Sequence, residues 1–105
     1  MRAEVLKGHL DLLLLATVGR QPSHGYALVE ALREQSGGVF TLAEGTVYPA
    51  LYRLERGGFL RSRWVVRDGR RRRIYSLTRR GRRALAEGEK EWQWFVRAVE
   101  SVVGA

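Results

Sequence analysis

The sequence contains no cysteine and only two prolines and two histidines. Without cysteine the chain cannot form disulfides, cysteine-based zinc sites or thiol nucleophiles, and this usage is typical of an intracellular protein. His9 and His24 fall on different predicted helices without an evident carboxylate partner, so we expect no metal site, no cofactor and no enzyme. Long hydrophobic runs are also missing, because residues 10–16 are too few to cross a bilayer, and we expect no targeting signal.

Positive charge is what the sequence has in excess. Lys and Arg number 19 against 11 Asp and Glu, the net charge is +8, and 17 of the basic residues are arginines. This balance favours a polyanionic partner, either nucleic acid or an anionic membrane surface. Arginine suits bidentate contacts with phosphate and guanine, although a GC-rich genome would produce the same arginine bias.

The 105 residues fit one small domain, whose modest core would gain from a partner subunit. Helical spacing of apolar residues predicts a first helix over Ala3–Val18, and Ser23 is predicted to cap a second helix from His24 to about Gln35. The first helix is apolar on most sides. This pattern indicates burial on two sides, with a second subunit covering the side that its own domain leaves open.

A third helix is predicted from four apolar residues at positions i, i+3, i+4 and i+7: Val47, Ala50, Leu51 and Leu54. Proline is harmless only in the first turn of a helix, so Pro49 predicts a start near Gly45 or Thr46. An earlier start, capped by Thr41 and Glu44, would instead predict a bend at Pro49.

Apolar and basic residues alternate from Leu60 to Leu77, and the dipeptide Asp68-Gly69 between them predicts a tight hairpin turn. Thr78 is predicted to cap a last helix from Arg79 to about Val103. The order helix, helix, helix, hairpin, helix predicts a mainly α (α+β) fold. It is a winged helix-turn-helix with a two-stranded wing and an added C-terminal dimerisation helix.

The outward side of the third helix is polar and aromatic, and it carries five candidate DNA contacts: Thr46, Tyr48, Pro49, Tyr52 and Arg53. In helix-turn-helix proteins the N-terminal half of this helix enters the major groove. Threonine and arginine can contact base edges there, and tyrosine can bind phosphate. By itself this surface could be merely solvated, but the basic hairpin directly downstream favours DNA contact.

Eleven arginines and one acidic residue lie within residues 61–83. Four of these arginines are consecutive at the predicted hairpin tip, where they can follow a phosphate backbone: Arg70, Arg71, Arg72 and Arg73. A helix N-terminus also attracts phosphate, so the start of the second helix adds Ser23, His24 and Tyr26 as candidate contacts. Residues 1–78 thus form the predicted DNA-binding domain, and residues 79–105 form the dimerisation helix.

The predicted subunit interface combines apolar residues of the first and last helices: Leu6, Leu10, Leu13, Leu14, Trp92, Phe95, Val96 and Val99. Trp64, on the first strand, is expected in the core, and Trp94 is expected to be partly exposed. Trp92 either packs in the dimer interface or, with its symmetry mate, forms the walls of a pocket for a flat aromatic ligand.

Three segments resemble the PadR family of bacterial transcriptional regulators: EGTVYPALYRLERGGFL, HGYAL and GRRRRIYSLTRRG. The resemblance covers Leu6 to Trp92, and the short single C-terminal helix is similar to the smaller subgroup, whose best-known members sense multiple drugs. It implies a cytoplasmic, nucleoid-associated homodimer on a palindromic or near-palindromic operator. It also implies that the last helix packs on the first helix of the other subunit and that Trp92 stacks on the ligand. At Ala43 the sequence departs from the many relatives that have Ser or Asn.

The function predicted from all of this is a homodimeric repressor that binds a specific site in double-stranded DNA and is released by a small aromatic or apolar ligand. The alternative is a winged-helix protein-interaction module whose basic face docks an acidic protein and which binds no operator. We expect no membrane partner in either case.

Overall fold

The computed structural model describes Leu6 and residues 8–104. In chain order, the elements of this part are α1 (Leu10–Arg20), α2 (Gly25–Gln35), α3 (Glu44–Arg56), β1 (Leu60–Arg67), β2 (Arg70–Leu77) and α4 (Arg79–Val103). The two strands form one antiparallel sheet. This order confirms the predicted α+β fold, a winged helix-turn-helix extended by a C-terminal helix.

The core lies where α1, α2 and α3 meet the base of the hairpin. Leu14, Leu28 and Leu51, one from each helix, are completely buried. Leu60 and Leu77 are paired across the hairpin base and are also buried. Burial of one such side chain contributes about 1.5–3 kcal/mol, so this cluster fixes the side of α3 that faces inward.

The predicted first helix is interrupted near its start, because Leu6 is helical but Gly8 and His9 form a turn. Of the predicted Ala3–Val18 helix, residues 3–5 and 7 lie outside the described residues. Gly8 and His9 form a turn, α1 begins at Leu10, and the N–H of His9 donates to the carbonyl of Leu6 at 2.8 Å. A continuous helix through this point is therefore wrong, which fits the cost of about 1 kcal/mol for glycine inside a helix.

The cap of α2 also differs from the prediction. His24 caps the helix, and its Nδ1 accepts a hydrogen bond from the N–H of Ala27 at 3.3 Å. Ser23 is used otherwise, because its backbone pairs with β2: the N–H of Tyr75 donates to the carbonyl of Ser23 at 2.9 Å. The sheet thus anchors the start of α2 to the hairpin.

The third helix begins at Glu44, one to two residues before the predicted start, so Pro49 lies in its second turn. Ala43 is the N-cap residue and offers no side-chain acceptor, while the hydroxyl of Thr41 donates to the carbonyl of Gly38 at 2.8 Å. The capping pair of Thr41 and Glu44 is therefore not formed. Proline removes only the hydrogen bond to the carbonyl of Gly45, and Gly45 is exposed to water.

The hairpin turn is the predicted one. Asp68 and Gly69 have φ angles of 51° and 74°, and positive values at both central residues are what a two-residue type I′ turn requires. The strands pair along their full length, from Leu60 with Leu77 to Arg67 with Arg70.

Trp64 does not lie in the core, contrary to the prediction, since 55% of its surface is exposed. Alternation along β1 does place it on the same face as Leu60, but the hairpin has by then extended past the three helices. The guanidinium groups of Arg71 and Arg73 cover the indole instead, at 4.6 and 5.5 Å from its ring centre. Such cation–π contacts explain how an exposed tryptophan is partly shielded from water.

The last helix begins and ends where the sequence predicted, with the Thr78 hydroxyl accepting from the N–H of Gly81 at 3.0 Å. Gly81 permits a close approach, because a Cβ there would lie 2.0 Å from the carbonyl oxygen of Phe59. The 25 residues of α4 span about 37 Å. Its first half packs on α1 and the hairpin, its second half is mostly exposed, and the longest dimension of the protein is 55 Å.

Replacing Ala43 by serine should stabilise the protein by about 1 kcal/mol. Ala43 already has the extended backbone of an N-cap residue, with φ −78° and ψ 150°, so only the side-chain acceptor is missing. Urea unfolding of Ala43→Ser and of the matched control Ala43→Val would measure the effect. Equal midpoints for the two variants would contradict the capping explanation.

Candidate nucleic-acid interface

The outer side of α3 is open to solvent. All five residues that the sequence proposed for this side are exposed: Thr46, Tyr48, Pro49, Tyr52 and Arg53. They lie opposite the buried stripe, as the helical period requires. Arg56 extends the surface by one turn, where its guanidinium donates to the Tyr52 hydroxyl at 3.3 Å.

Tyr48 is only partly a surface residue, because its ring rests against the start of α2. A Cβ added to Gly25 would lie 2.5 Å from two carbons of the tyrosine ring and 2.7 Å from its hydroxyl oxygen. Gly25 therefore permits α2 and α3 to meet through this ring. Tyr48 thus joins the N-terminus of α2 to the exposed side of α3.

Arg53 is held by Asp11, which lies on a different helix. Its Nη1 lies 3.1 Å from both carboxylate oxygens of Asp11, and its Nη2 lies 3.0 Å from Oδ1. The hydrogen bonds that Arg53 donates to Asp11, together with the negative charge of Asp11, raise the pKa of Arg53. The two residues are separated by 42 positions in the chain, so no local pattern could have revealed the pair.

The four arginines of the hairpin tip have different surroundings, since neighbouring side chains on a strand point to opposite faces. Arg71 and Arg73 lie over Trp64, and Arg73 also donates from Nε to the hydroxyl of Ser62 at 2.6 Å. Arg72 lies on the other face and reaches His24, with Nη1 at 3.3 and 3.4 Å from the two ring nitrogens. Arg70 is exposed beside the turn.

These contacts bring three parts of the predicted interface together. Tyr48 connects α3 to the start of α2, and Arg72 connects the wing to the same place through His24. Tyr26, in the first turn of α2, is exposed there, whereas Ser23 is half-buried and occupied by the sheet. The result is one surface with a helix N-terminus, aromatic rings and arginines, a combination suited to phosphate.

His24 is in an environment that disfavours its positive charge. Burial lowers the pKa of His24, and the nearby guanidinium of Arg72 lowers it further. The neutral ring can keep Nδ1 free to accept from the N–H of Ala27. The capping hydrogen bond and the neutral form of His24 therefore favour each other.

Some of the interface residues predicted on α1 and α4 are buried in the chain's own core, and the others are partly or fully exposed. Leu10 and Leu14 are 9% and 0% exposed and pack in the chain's own core, so their assignment to a subunit interface is corrected. The sequence had predicted that one side of α1 faces its own domain, and the structure shows that this side carries these two residues. Leu6, Leu13 and Val96 are half-buried, and Trp92, Phe95 and Val99 are exposed.

Two adjoining clefts lie between α1 and α4, with volumes of about 450 and 550 Å³, and both contact His9, Leu12, Trp92 and Phe95. The rings of His9 and Trp92 meet edge to face, with centroids 5.1 Å apart. Trp92 is 43% exposed, while Trp94 is 71% exposed and only borders the smaller cleft. An apolar cleft with an aromatic wall suits a flat apolar or aromatic molecule.

Leu6 and residues 8–104 contain no group of three His, Asp or Glu side chains placed to hold a metal ion. None of the helices in this part of the chain combines the length and the apolar character needed to span a bilayer.

Comparison with known proteins gives one family. Residues 14–87 match the Transcriptional regulator PadR-like family. Transcriptional regulator Rv3488 of Mycobacterium tuberculosis is 40% identical over 76 residues, which are 72% of this chain and 68% of that protein. These relatives are regulators and not enzymes, as the sequence predicted.

Solved structures support the same family assignment. A PadR family transcriptional regulator from Eggerthella lenta is 33% identical and superposes with a TM-score of 0.83, covering 95% of this chain and 86% of that one. A transcriptional regulator from Clostridium thermocellum is 24% identical and covers 98% of each chain with a TM-score of 0.88, a likeness that concerns the fold alone.

The lowered pKa of His24 predicts a loss of stability on mild acidification. A histidine whose pKa is lower in the folded state favours folding above its unfolded value of 6.5, and this contribution disappears as the pH falls through the folded pKa. The free energy of unfolding should therefore decrease from pH 7 to pH 5. Urea titrations at several pH values would measure the decrease.

His24→Asn is the matched control, because asparagine is also a good N-cap residue but does not titrate. Its stability should depend less on pH over this range. An identical pH dependence in both proteins would show that other groups are responsible.

Proposed function

The chain belongs to the PadR-like family of transcriptional regulators, and we propose that it is a homodimeric repressor that binds a palindromic operator in double-stranded DNA. The observation that supports this most is the continuous surface formed by the outer side of α3, the start of α2 and Arg72 of the wing. Its place of action would be the bacterial cytoplasm, at the nucleoid.

In the proposed complex, α3 enters the major groove, which is about 12 Å wide and admits one helix. Thr46, Tyr52 and Arg53 would meet base edges and the adjacent phosphates. The N–H groups at the start of α2 would bind a phosphate, and Arg70 and Arg72 would follow the backbone beside the groove. Residues 1–78 would carry this activity.

Dimerisation would involve residues 79–105 together with α1. The second half of α4 exposes a set of large apolar side chains that a second copy could cover: Trp92, Phe95, Val99, Val102 and Val103. Covering them would remove a cost of about 25 cal/mol for each Å² of apolar surface left in water. In a dimer that reads one face of DNA, the two α3 helices would lie about 34–36 Å apart.

The clefts beside Trp92 would hold the inducer, a small aromatic or apolar molecule stacked on the indole. They lie between α1 and the proposed dimerisation helix. A ligand there would therefore change how α4 meets α1, and through that the distance between the two α3 helices. Release follows if the ligand binds the non-operator arrangement more tightly.

Binding to DNA should depend strongly on salt. If a dimer neutralises about eight phosphates, a plot of log affinity against log salt concentration should have a slope near −7. Fluorescence anisotropy with a labelled fragment of the DNA upstream of the coding sequence would measure it. A wild-type protein with no affinity for duplex DNA would instead favour the protein-interaction module.

Exposed side chains of the proposed surface should control affinity. Tyr52→Ala should weaken binding to the upstream fragment about tenfold or more, and Arg70→Ala should weaken binding to every duplex and make the salt slope shallower by about 0.9 per subunit. Arg33→Ala is the matched control, since Arg33 is exposed near the other end of α2. Equal losses for Arg33→Ala and Arg70→Ala would indicate only a net-charge effect.

The ligand site can be tested without DNA. An acridine dye should bind the wild-type protein, and Trp92→Ala should weaken this binding at least tenfold, because the stacking surface is removed. Trp94→Ala is the matched control, because Trp94 is the more exposed of the two indoles. Isothermal titration calorimetry would give both affinities, and equal losses would place the dye elsewhere.

A further inference from the structure

Asp11 and Arg53 form an ion pair at the edge of the proposed DNA surface. The carboxylate is in the first turn of α1, and the guanidinium is on the exposed side of α3. Their side chains are 51% and 58% exposed, so water and salt reach both groups. A surface pair of this kind contributes about 0–1 kcal/mol to stability, which is too little to be its main consequence.

The geometry of the pair determines what Arg53 can do. Both terminal nitrogens face the carboxylate, at 3.0–3.1 Å, and Nε donates to neither of its oxygens. Those terminal nitrogens are the groups that an arginine otherwise directs at phosphate or at guanine. The ion pair with Asp11 therefore occupies one edge of the Arg53 guanidinium and fixes the orientation of the guanidinium plane.

Two arginines of the wing differ from Arg53 because they lack a carboxylate partner among the described residues. Within the described part of the chain, the ion pairs are Arg33 with Glu30, Arg53 with Asp11 and Arg73 with Glu55. Arg70 and Arg72 have no carboxylate within 4 Å there. An arginine without such a partner attracts any phosphate, and attraction to phosphate is the main source of sequence-independent binding. Arg53 is the cation of the outer side of α3 whose charge is offset by direct contact with an acid.

We propose that Asp11 is a specificity-determining residue of the DNA-binding surface, which withholds Arg53 from indiscriminate phosphate contacts and presents its guanidinium in one orientation. This inference rests on the proposed function of α3. On random DNA the carboxylate competes with phosphate for Arg53. On the operator, complementary contacts along α3 offset this competition, so Asp11 increases the ratio of specific to non-specific affinity at the expense of total affinity.

Asp11→Asn removes the charge and keeps the size of the side chain. It should bind a random-sequence duplex at least threefold more tightly at low salt, while affinity for the upstream fragment changes less. The salt slope on random DNA should become more negative by about 0.9 per subunit, one extra phosphate contact each. Anisotropy titrations with the two duplexes at four salt concentrations would measure both effects.

Two further variants distinguish the effect of Asp11 on Arg53 from the general effect of removing one negative charge. Glu44→Gln removes an acidic charge from the first turn of α3, and Glu44 makes no ion pair with any described residue. It should leave the salt slope unchanged. In an Arg53→Ala background, Asp11→Asn should change neither the slope nor the specificity ratio, because no guanidinium is released.

The outcomes distinguish the inference from its premise. A wild-type protein that binds no duplex would overturn both. A wild-type protein with the expected salt dependence, combined with an Asp11→Asn variant of unchanged slope and ratio, would overturn the inference alone. An effect of Asp11→Asn that persists in the Arg53→Ala background would also overturn the inference alone.

Discussion

The burial of one side of α3 is the constraint on which the rest of the structure depends. Val47, Ala50, Leu51 and Leu54 face leucines of α1 and α2 and the base of the hairpin. Truncating a buried leucine typically costs about 2–5 kcal/mol, against a total stability of about 5–15 kcal/mol for a domain. The helix therefore cannot rotate about its axis, and the side that carries Tyr52 and Arg53 must face solvent.

The distribution of charge follows from this arrangement. The wing lies beyond the core, so its arginines can accumulate without desolvation, and their partners include an indole, a histidine and one carboxylate rather than packed apolar groups. On α3, Arg53 has an acidic partner because α1 crosses close enough for Asp11 to reach it. The arginines of this surface therefore form two groups, those with and those without an acidic partner among the described residues.

The sequence predicted the elements well because each has a strong local signal. Four apolar positions define α3, Asp68-Gly69 defines the turn, and Thr78 marks the start of α4. It failed where tertiary contacts decide. Ser23 has good capping chemistry, but the sheet uses its backbone and leaves the cap to His24.

The geometry of the candidate site could not be predicted from the sequence. Alternation placed Trp64 on the inward face without indicating how far the core extends along the hairpin. Helical spacing gave α1 an apolar surface without deciding which leucines the domain itself would cover. The contact of Asp11 with Arg53 depends on the crossing of two helices far apart in sequence, and composition carries no trace of it.

The shape of α4 has a mechanical consequence. The helix is fastened at its start, where Gly81 meets the carbonyl of Phe59, and it runs on for about 37 Å. It therefore acts as a lever arm whose pivot lies beside the core. A tilt of about 10° at the pivot would move its far end by about 6 Å, nearly two base-pair steps along DNA at about 3.4 Å per step. In the proposed dimer, the spacing of the two DNA-binding surfaces would therefore be set by an angle and not by the length of any linker.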